Sequence, residues 1–414
     1  MTTLALSELL GAPVYDPSGA AGKVREVTLA PQEDRSRVSS LIVKTKTGNR
    51  ILPFAAISAI NGGIRASTAA GEWPAANGAE GLFLLERDLL DQQVIDVNGR
   101  KVVRVNDVDL EFDPAKDPNH PVLRIQSVDV GARGAMRRLF RGLAPKTTLH
   151  AFLGRIPPRT IPWKFVDIIE TDPARRVKLK ISHDGLAKLH PADIADIVED
   201  LAPDERQAVF QTLDEETAAE ALEEVEPRVQ KAIVESLDSG RAADIVEEMD
   251  PDAAADLLAD LPQERTEQIL VQMEPEAQQE VVELLEHKEG SAAGRMTTEF
   301  LALGVDATVQ NTIDSMREFE GGVEAVSTIY LVDSHGTLVG AVPLARIVLV
   351  PLTTPMLSLA QEPLVLAHEE TSENEVAELF DKYNLQTLPV VDEHNKLAGV
   401  ITSDDVISML RAKL

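Results

Sequence analysis

Two aspartates four residues apart, Asp252 and Asp256, follow Asp250–Pro251 in the middle of the chain. Asp before Pro reads as a helix start: Asp caps free backbone N–H groups, and Pro tolerates the first turn. Asp252 and Asp256 then fall on one side of that helix. Two carboxylates so placed repel unless a cation or solvent intervenes. Hard oxygen ligands of this kind suit Mg²⁺, which keeps most of its waters and takes one or two carboxylates. A plainer account is also open. A helix N-terminus favours acid through its dipole, and the second Asp is then simply exposed. Spacing by itself favours the plainer account.

The element that must position these residues repeats every twelve residues over 186–289. A large apolar residue stands at Leu201, Leu213, Val225, Leu237, Met249, Leu261, Met273 and Leu285. Apolar residues also stand three and four positions before each, as Ile197 and Val198 do before Leu201. Offsets of three and four share one helical face. Turn residues fall between, at Pro203, Pro227, Pro251, Pro262 and Pro275. A short fixed period of helix and break predicts stacked short helices, not one long helix.

The formal net charge of −29 is concentrated here: residues 184–290 hold 31 Asp and Glu against 7 Lys and Arg, a net of −24. Such density opposes compaction and favours binding of cations. It argues against nucleic acid as a partner, since phosphate would be repelled. With no cysteine in the chain, disulfides, thiolate metal sites and cysteine nucleophiles are excluded. Residues 2–10 carry no secretory signal, and 338–357 contain Arg346, Pro343, Pro351 and Pro355, so a strand and a short helix are expected there, not a span. A cytoplasmic location is expected. The eight His are scattered, and no Gly-rich phosphate loop, His-Glu-x-x-His or elbow serine appears, so no enzyme is expected.

Before the repeat, Val and Ile alternate with polar residues in short runs such as Ser40–Leu41–Ile42–Val43 and Val102–Val103–Arg104–Val105, a β pattern. This part repeats itself. Leu9–Leu10, Val14, Asp16 and Gly19 recur 80 residues later as Leu89–Leu90, Val94, Asp96 and Gly99. Leu52–Pro53–Phe54 through Ile57 matches Ile161–Pro162–Trp163 through Val166. The two halves resemble a tandem of PRC-barrel domains, which implies an adaptor role with a protein partner. A basic patch over 133–146 (Arg133, Arg137, Arg138, Arg141 and Lys146) interrupts the acidic trend. It fits an anionic membrane surface or a nucleic acid, or, more plainly, a solvated helical turn or a contact with the acidic repeat.

After the repeat, a strand–helix–strand–strand–helix pattern occurs twice. Thr308 to Arg317 and Ser372 to Tyr383 read as helices. Tyr330–Leu331–Val332–Asp333 with Gly340, and Pro389–Val390–Val391–Asp392 with Gly399, read as hairpins with equal Asp-to-Gly spacing. The pattern resembles a CBS-domain pair, which implies helix-mediated homodimers and adenine-nucleotide binding. A Thr/Ser-x-x-Asp step after the last strand carries the usual phosphate and ribose contacts. Only the second copy has it, with Thr402 and Asp405; the first has Pro343–Leu344–Ala345–Arg346. One nucleotide site at most, or a purely structural pair, is expected.

An acidic short-helix repeat followed by a CBS pair resembles the cytosolic part of MgtE-type magnesium transporters. His190–Pro191–Ala192–Asp193, Asp250–Pro251–Asp252 with Ala254–Ala255–Asp256, Ala293–Gly294–Arg295–Met296–Thr297 and Ile401–Thr402–Ser403–Asp404–Asp405 carry the resemblance. It implies a right-handed superhelix that closes on the CBS pair when Mg²⁺ bridges carboxylates. It places Asp252 and Asp256 at ligand positions of the helical domain, and Asp405 at a CBS one, with Asp404 beside it. Two departures weaken the match. Asn374 and Asn384 stand where acids are expected. The family also continues into a connecting helix and a membrane domain, whereas the sequence ends at Leu414.

The expected fold is multidomain α+β: two small β-barrels (1–70 and 80–175), an α-helical superhelix of short repeats (184–290), and an α/β CBS pair (291–352 and 353–414). The expected function is a soluble, non-catalytic regulator that senses Mg²⁺ and takes part in magnesium homeostasis. The rivals are an adenine-nucleotide sensor and a protein-binding scaffold.

Overall fold

In the computed structural model, residues 2–29, 34, 36–60, 62–76, 82–113, 122–140, 156–170, 183–285, 287, 290–319 and 326–412 are described. The chain divides into two compact units, Met1–Val229 and Gln230–Leu414.

The first unit begins with β1 (Thr2–Ala5), α1 (Leu6–Leu9), β2 (Pro13–Asp16), β3 (Gly19–Leu29), β4 (Val38–Thr45), β5 (Gly48–Pro53), β6 (Ile57–Ile60) and β7 (Ile64–Ala66). The second half repeats the series as β8 (Phe83–Leu84), α2 (Leu85–Asp88), β9 (Gln93–Asp96), β10 (Lys101–Arg104), β11 (Asp107–Asp113), β12 (Val122–Asp129), β13 (Thr160–Pro162) and β14 (Val166–Ile168), with α3 (Ala132–Leu139) inserted after β12. The repeated Leu pairs and Val14 and Val94 are buried at matching places. The Pro–aromatic pieces make matching 3₁₀ turns, Phe54–Ala56 and Trp163–Phe165.

Among the described residues the strands do not close into two separate barrels. Each half gives its first strand to the other: β1 pairs antiparallel with β11 (Leu4 opposite Leu110), and β8 pairs with β3 (Phe83 opposite Leu29). The first half makes the open path β5-β4-β3-β2-β7-β6, while the second divides into β1-β11-β12-β13 and β10-β9-β14. One apolar cluster, including Leu6, Val27, Leu41, Leu85, Val108 and Leu123, serves both halves. The exchange is invisible to local pattern, because a two-to-four-residue apolar strand fits either sheet edge equally well.

The twelve-residue register becomes eight short helices: α4 (Pro191–Glu199), α5 (Pro203–Phe210), α6 (Glu215–Glu223), α7 (Pro227–Ser236), α8 (Ser239–Glu247), α9 (Pro251–Asp260), α10 (Gln263–Leu270) and α11 (Pro275–Leu285). Each starts twelve residues after the last. Pro191, Pro203, Pro227, Pro251 and Pro275 are first helical residues, where a missing N–H costs nothing, so they belong to the helices and not to the gaps. The division between the two units falls inside α7. Within the first unit α4 packs on α6. Within the second, α8 packs on α10 and α9 on α11. The register is buried from Ile197 through Ile269 and loosens at the end, where Leu270 and Leu285 are half-buried and Val282 is exposed.

In the second unit each CBS copy is a three-stranded sheet with one parallel and one antiparallel pairing: β15 (Ala302–Gly304), β16 (Thr328–Val332), β17 (Leu338–Pro343), then β18 (Ala367–His368), β19 (Thr387–Val391), β20 (Leu397–Thr402). The helices are α12 (Val309–Arg317) and α13 (Leu344–Ile347) in the first copy, α14 (Glu373–Tyr383) and α15 (Ser403–Ala412) in the second. The hairpin turns join side by side, with Leu338 N–H donating to Asn395 O at 3.0 Å and Leu397 N–H to Gly336 O at 3.2 Å. Tyr330, buried between the copies, donates its hydroxyl to Thr387 at 2.9 Å. The junction before the first copy lies on the second, where Thr297 bridges Val400. There a Cβ on Gly399 would stand 2.5 Å from Met296 Sδ, so the junction methionine requires glycine.

Candidate carboxylate site between the repeat and the CBS pair

Asp214 and Asp238 accept the N3 amide of their helices, from Thr217 and Arg241, each at 3.0 Å. Asp250 holds the same N-cap place on α9 but makes no such side-chain cap, contrary to the expected role. Its carboxyl is instead held above the ordinary range, first by desolvation and then by the charges of Glu299 and Asp404.

Asp252, half-buried in the first turn of α9, is pushed well above the ordinary range. Desolvation is the largest cause, followed by the charges of Asp405, Asp250 and, more weakly, Asp256. Asp405 is also raised, first by desolvation. Hydrogen bonds from Thr402 oppose the rise, while the charges of Asp404 and Asp250 add to it. The fold thus gathers Asp250, Asp252, Glu299, Asp404 and Asp405 into one field of like charge. Among the sequence-identified residues, Asp252 lies within the field of Asp405. Glu299 was not identified, and Asp250 was read only as a cap. A single glutamate in Thr297–Thr298–Glu299–Phe300 carries no local signal of its own.

Asp256 takes a different partner. Its carboxylate accepts a hydrogen bond from Arg295 Nη1, and Arg295 Nε donates to Glu373 at 2.9 Å. One guanidinium therefore joins α9 to the first residue of α14.

Thr402 and Asp405 engage each other. Thr402 N–H donates to Asp405 Oδ2 at 3.0 Å, its hydroxyl donates to the same oxygen, and Asp405 N–H points back to Thr402 Oγ1 at 3.5 Å. This is a reciprocal helix cap for α15. The adjacent cleft, lined by Arg295, Glu373, Ile401, Asp405 and Met409 among others, has a volume of about 10 Å³, room for about one water.

The donor set of hard, desolvated, mutually repelling carboxylates fits a hard divalent cation better than a soft one. Among the described residues no three His, Asp or Glu are grouped closely enough to hold a metal ion between them.

The basic patch resolves differently. Arg137 is nearly buried and lies 3.1 Å from each of Asp107, Asp109 and Asp129. Burial works against its charge, but these three carboxylates outweigh burial and hold it protonated. Arg138 pairs with Asp91. These two arginines bind α3 to the β region. Arg141 and Lys146 lie outside the described residues.

Asn384, where an acid was expected, ends α14 with φ +51°. Asn is among the few non-glycine residues that adopt this left-handed conformation readily. Asn374 is an exposed residue of α14. No helix among the described residues is long and apolar enough to cross a membrane.

The fold and site define a class: an acidic short-helix domain joined to a CBS pair. Residues 189–290 match the family described as MgtE intracellular N domain, and 358–412 match the CBS domain. This part of the chain is homologous to the cytosolic region of MgtE. It is 33% identical over 134 residues to the magnesium transporter MgtE of Thermus thermophilus, which covers 32% of this chain and 30% of that protein. It is 27% identical over 131 residues to MgtE of Enterococcus faecalis, which covers 32% and 29%. The chain thus spans about 30% of the length of these relatives. Among solved structures, the cytosolic domain of the Mg²⁺ channel MgtE in complex with ATP is 29% identical, with a TM-score of 0.51 over 54% of this chain and 92% of that one. The soluble part of a magnesium transporter shares the fold at a TM-score of 0.52 and 24% identity, over 58% and 92%.

Proposed function

We propose that the chain is a regulatory protein of magnesium homeostasis, and that Mg²⁺ binds among the carboxylates between the repeat helices and the CBS pair. Asp252 and Asp405 are the central ligands, with Asp404 beside them and Asp250 and Glu299 adding charge. The observation that carries this reading is that Asp252 and Asp405 are both raised by desolvation and by like charge from the other element, Asp252 by Asp405 and Asp405 by Asp250. A bound cation relieves that repulsion and favours the closed arrangement. Asp256 contributes when its arginine partner releases it. The protein acts by binding, not catalysis, and dimerises through the CBS helices, while the β region takes a protein partner.

The test is a Mg²⁺ titration into the millimolar range, followed by small-angle scattering and limited proteolysis at constant ionic strength. Compaction in wild type, and its loss in the Asp252→Asn/Asp405→Asn double variant, is the expected result. An unchanged radius and cleavage pattern in wild type refutes it.

Adenine-nucleotide binding at Thr402 and Asp405 is the second reading. It is favoured by the similar MgtE domain solved with ATP. Both side chains here are committed to the α15 cap, so a nucleotide would have to open it. Calorimetry with ATP, ADP and AMP, on wild type and Asp405→Ala, separates the two readings.

A further inference from the structure

Arg295 lies at the end of the 3₁₀ turn Ala293–Arg295. That turn is fixed to the second CBS copy, because Ala292 N–H donates to Thr371 O at 2.7 Å and Ala293 N–H to Glu369 O at 3.1 Å. Ser291 also bridges Ser372. The arginine therefore extends from a pinned base. One side of its guanidinium holds Glu373, whose side chain is 13% exposed; the other holds Asp256, 55% exposed. The first contact is anchored and the second reaches across to a repeat helix. Asp256 follows Asp252 by one helical turn, so the arginine's partner stands one turn from a carboxylate that Asp405 and Asp250 both oppose.

We propose that Arg295 is a tethered counter-ion. It holds α9 against the CBS pair in the absence of metal, and a divalent cation competes with it for Asp256. This rests in part on the Mg²⁺ reading above. Guanidinium suits the task because its fork of donors can serve two carboxylates at once and stays charged at all working pH. The device sets a baseline: repulsion around Asp252 and Asp405 opens the joint, Arg295 closes it, and the cation shifts the balance.

The test compares full-length wild type with Arg295→Gln, first in EDTA and then in MgCl₂. In EDTA the variant should show a larger scattering radius and several-fold faster proteolysis, and MgCl₂ should restore both. Once the smaller closed fraction that scattering reads in EDTA is divided out, Mg²⁺ should bind the variant tighter by calorimetry, about three- to tenfold, because Asp256 is released. Arg295→Lys, which keeps the charge but not the fork, should fall between. Equal radius and cleavage of wild type and Arg295→Gln in EDTA overturns the latch. Equal or weaker Mg²⁺ binding after that correction overturns the competition. If Arg295→Gln misfolds by circular dichroism, Asp256→Asn breaks the same pair from its exposed side and must give the same loosening in EDTA. The EDTA arm judges the latch alone. If MgCl₂ changes neither protein, the Mg²⁺ reading fails while the latch stands.

Discussion

Asp405, in the first turn of the last CBS helix, places its charge against Asp252, in the first turn of a repeat helix, and desolvation and like charge hold both carboxyls above their ordinary range. They are separated by more than 150 residues of sequence and belong to different folding patterns. Removing one charge should relieve the other. Asp252→Asn should therefore raise the metal-free melting temperature of this unit by roughly 2–4 °C, the shift that about 1 kcal/mol produces at this size. The same substitution should weaken Mg²⁺ binding about tenfold, or ~1.4 kcal/mol. Thermal melts in EDTA and calorimetry check the two halves. A fall in melting temperature would show that Asp252 is a structural acceptor instead.

The pH dependence has a defined sign. Both carboxyls titrate higher in the fold than in the unfolded chain, where Asp titrates near ~3.9. Stability from their neutral forms is therefore complete below that value and is lost as pH rises through the folded-state values. Without metal, stability should fall from acidic toward neutral pH. Mg²⁺ should recover most of it at neutral pH and little in acid, since protons and cation compete for the same oxygens. General repulsion among the acids of the repeat has the same sign, so the comparison with Asp252→Asn/Asp405→Asn isolates the pair. A double variant with the wild-type slope rejects the pair as its source.

The repeat was legible because its information is local. Leu201 and its successors recur at a fixed interval, apolar neighbours three and four positions earlier complete a face, and proline marks where a helix can begin. The CBS hairpins were legible through Val391–Asp392 and Gly399 and their counterparts in the first copy. What escaped was set by long-range placement. Glu299 and Arg295 have no periodic partners, and only the docking of the junction on the second CBS copy brings them to α9. Arg137 read as part of a cationic surface because Asp107, Asp109 and Asp129 come from two strands that fold beneath it. Asn384 read as a lost ligand, although its backbone conformation gives it a separate reason to be there.

That reason can be measured. Asn384→Gly should leave stability within about 0.5 kcal/mol, since glycine adopts positive φ freely. Asn384→Ala should cost about 1 kcal/mol, and Asn384→Asp about the same or less. If Asn384→Asp also strengthened Mg²⁺ binding, the position would be a ligand site that this chain has given up. Urea melts and Mg²⁺ calorimetry on the three variants distinguish these outcomes.

The exchanged strands tie the two halves of the β region to each other. β1 covers the edge of β11 by pairing Thr2, Thr3, Leu4 and Ala5 with Phe112, Glu111, Leu110 and Asp109. An uncovered strand edge is a site of fraying and of unwanted pairing. Deleting residues 2–5 should therefore speed amide exchange along β11 in the distant half, while β5 and β6 in its own half stay protected. Fragments 1–70 and 80–175 should each fail to unfold cooperatively alone, because each lacks the strand the other supplies, and mixing them should restore a cooperative transition. Hydrogen exchange read by mass spectrometry checks the deletion, and thermal melts check the fragments. A cooperative melt from either fragment alone would mean that the exchange is a refinement of two self-sufficient halves.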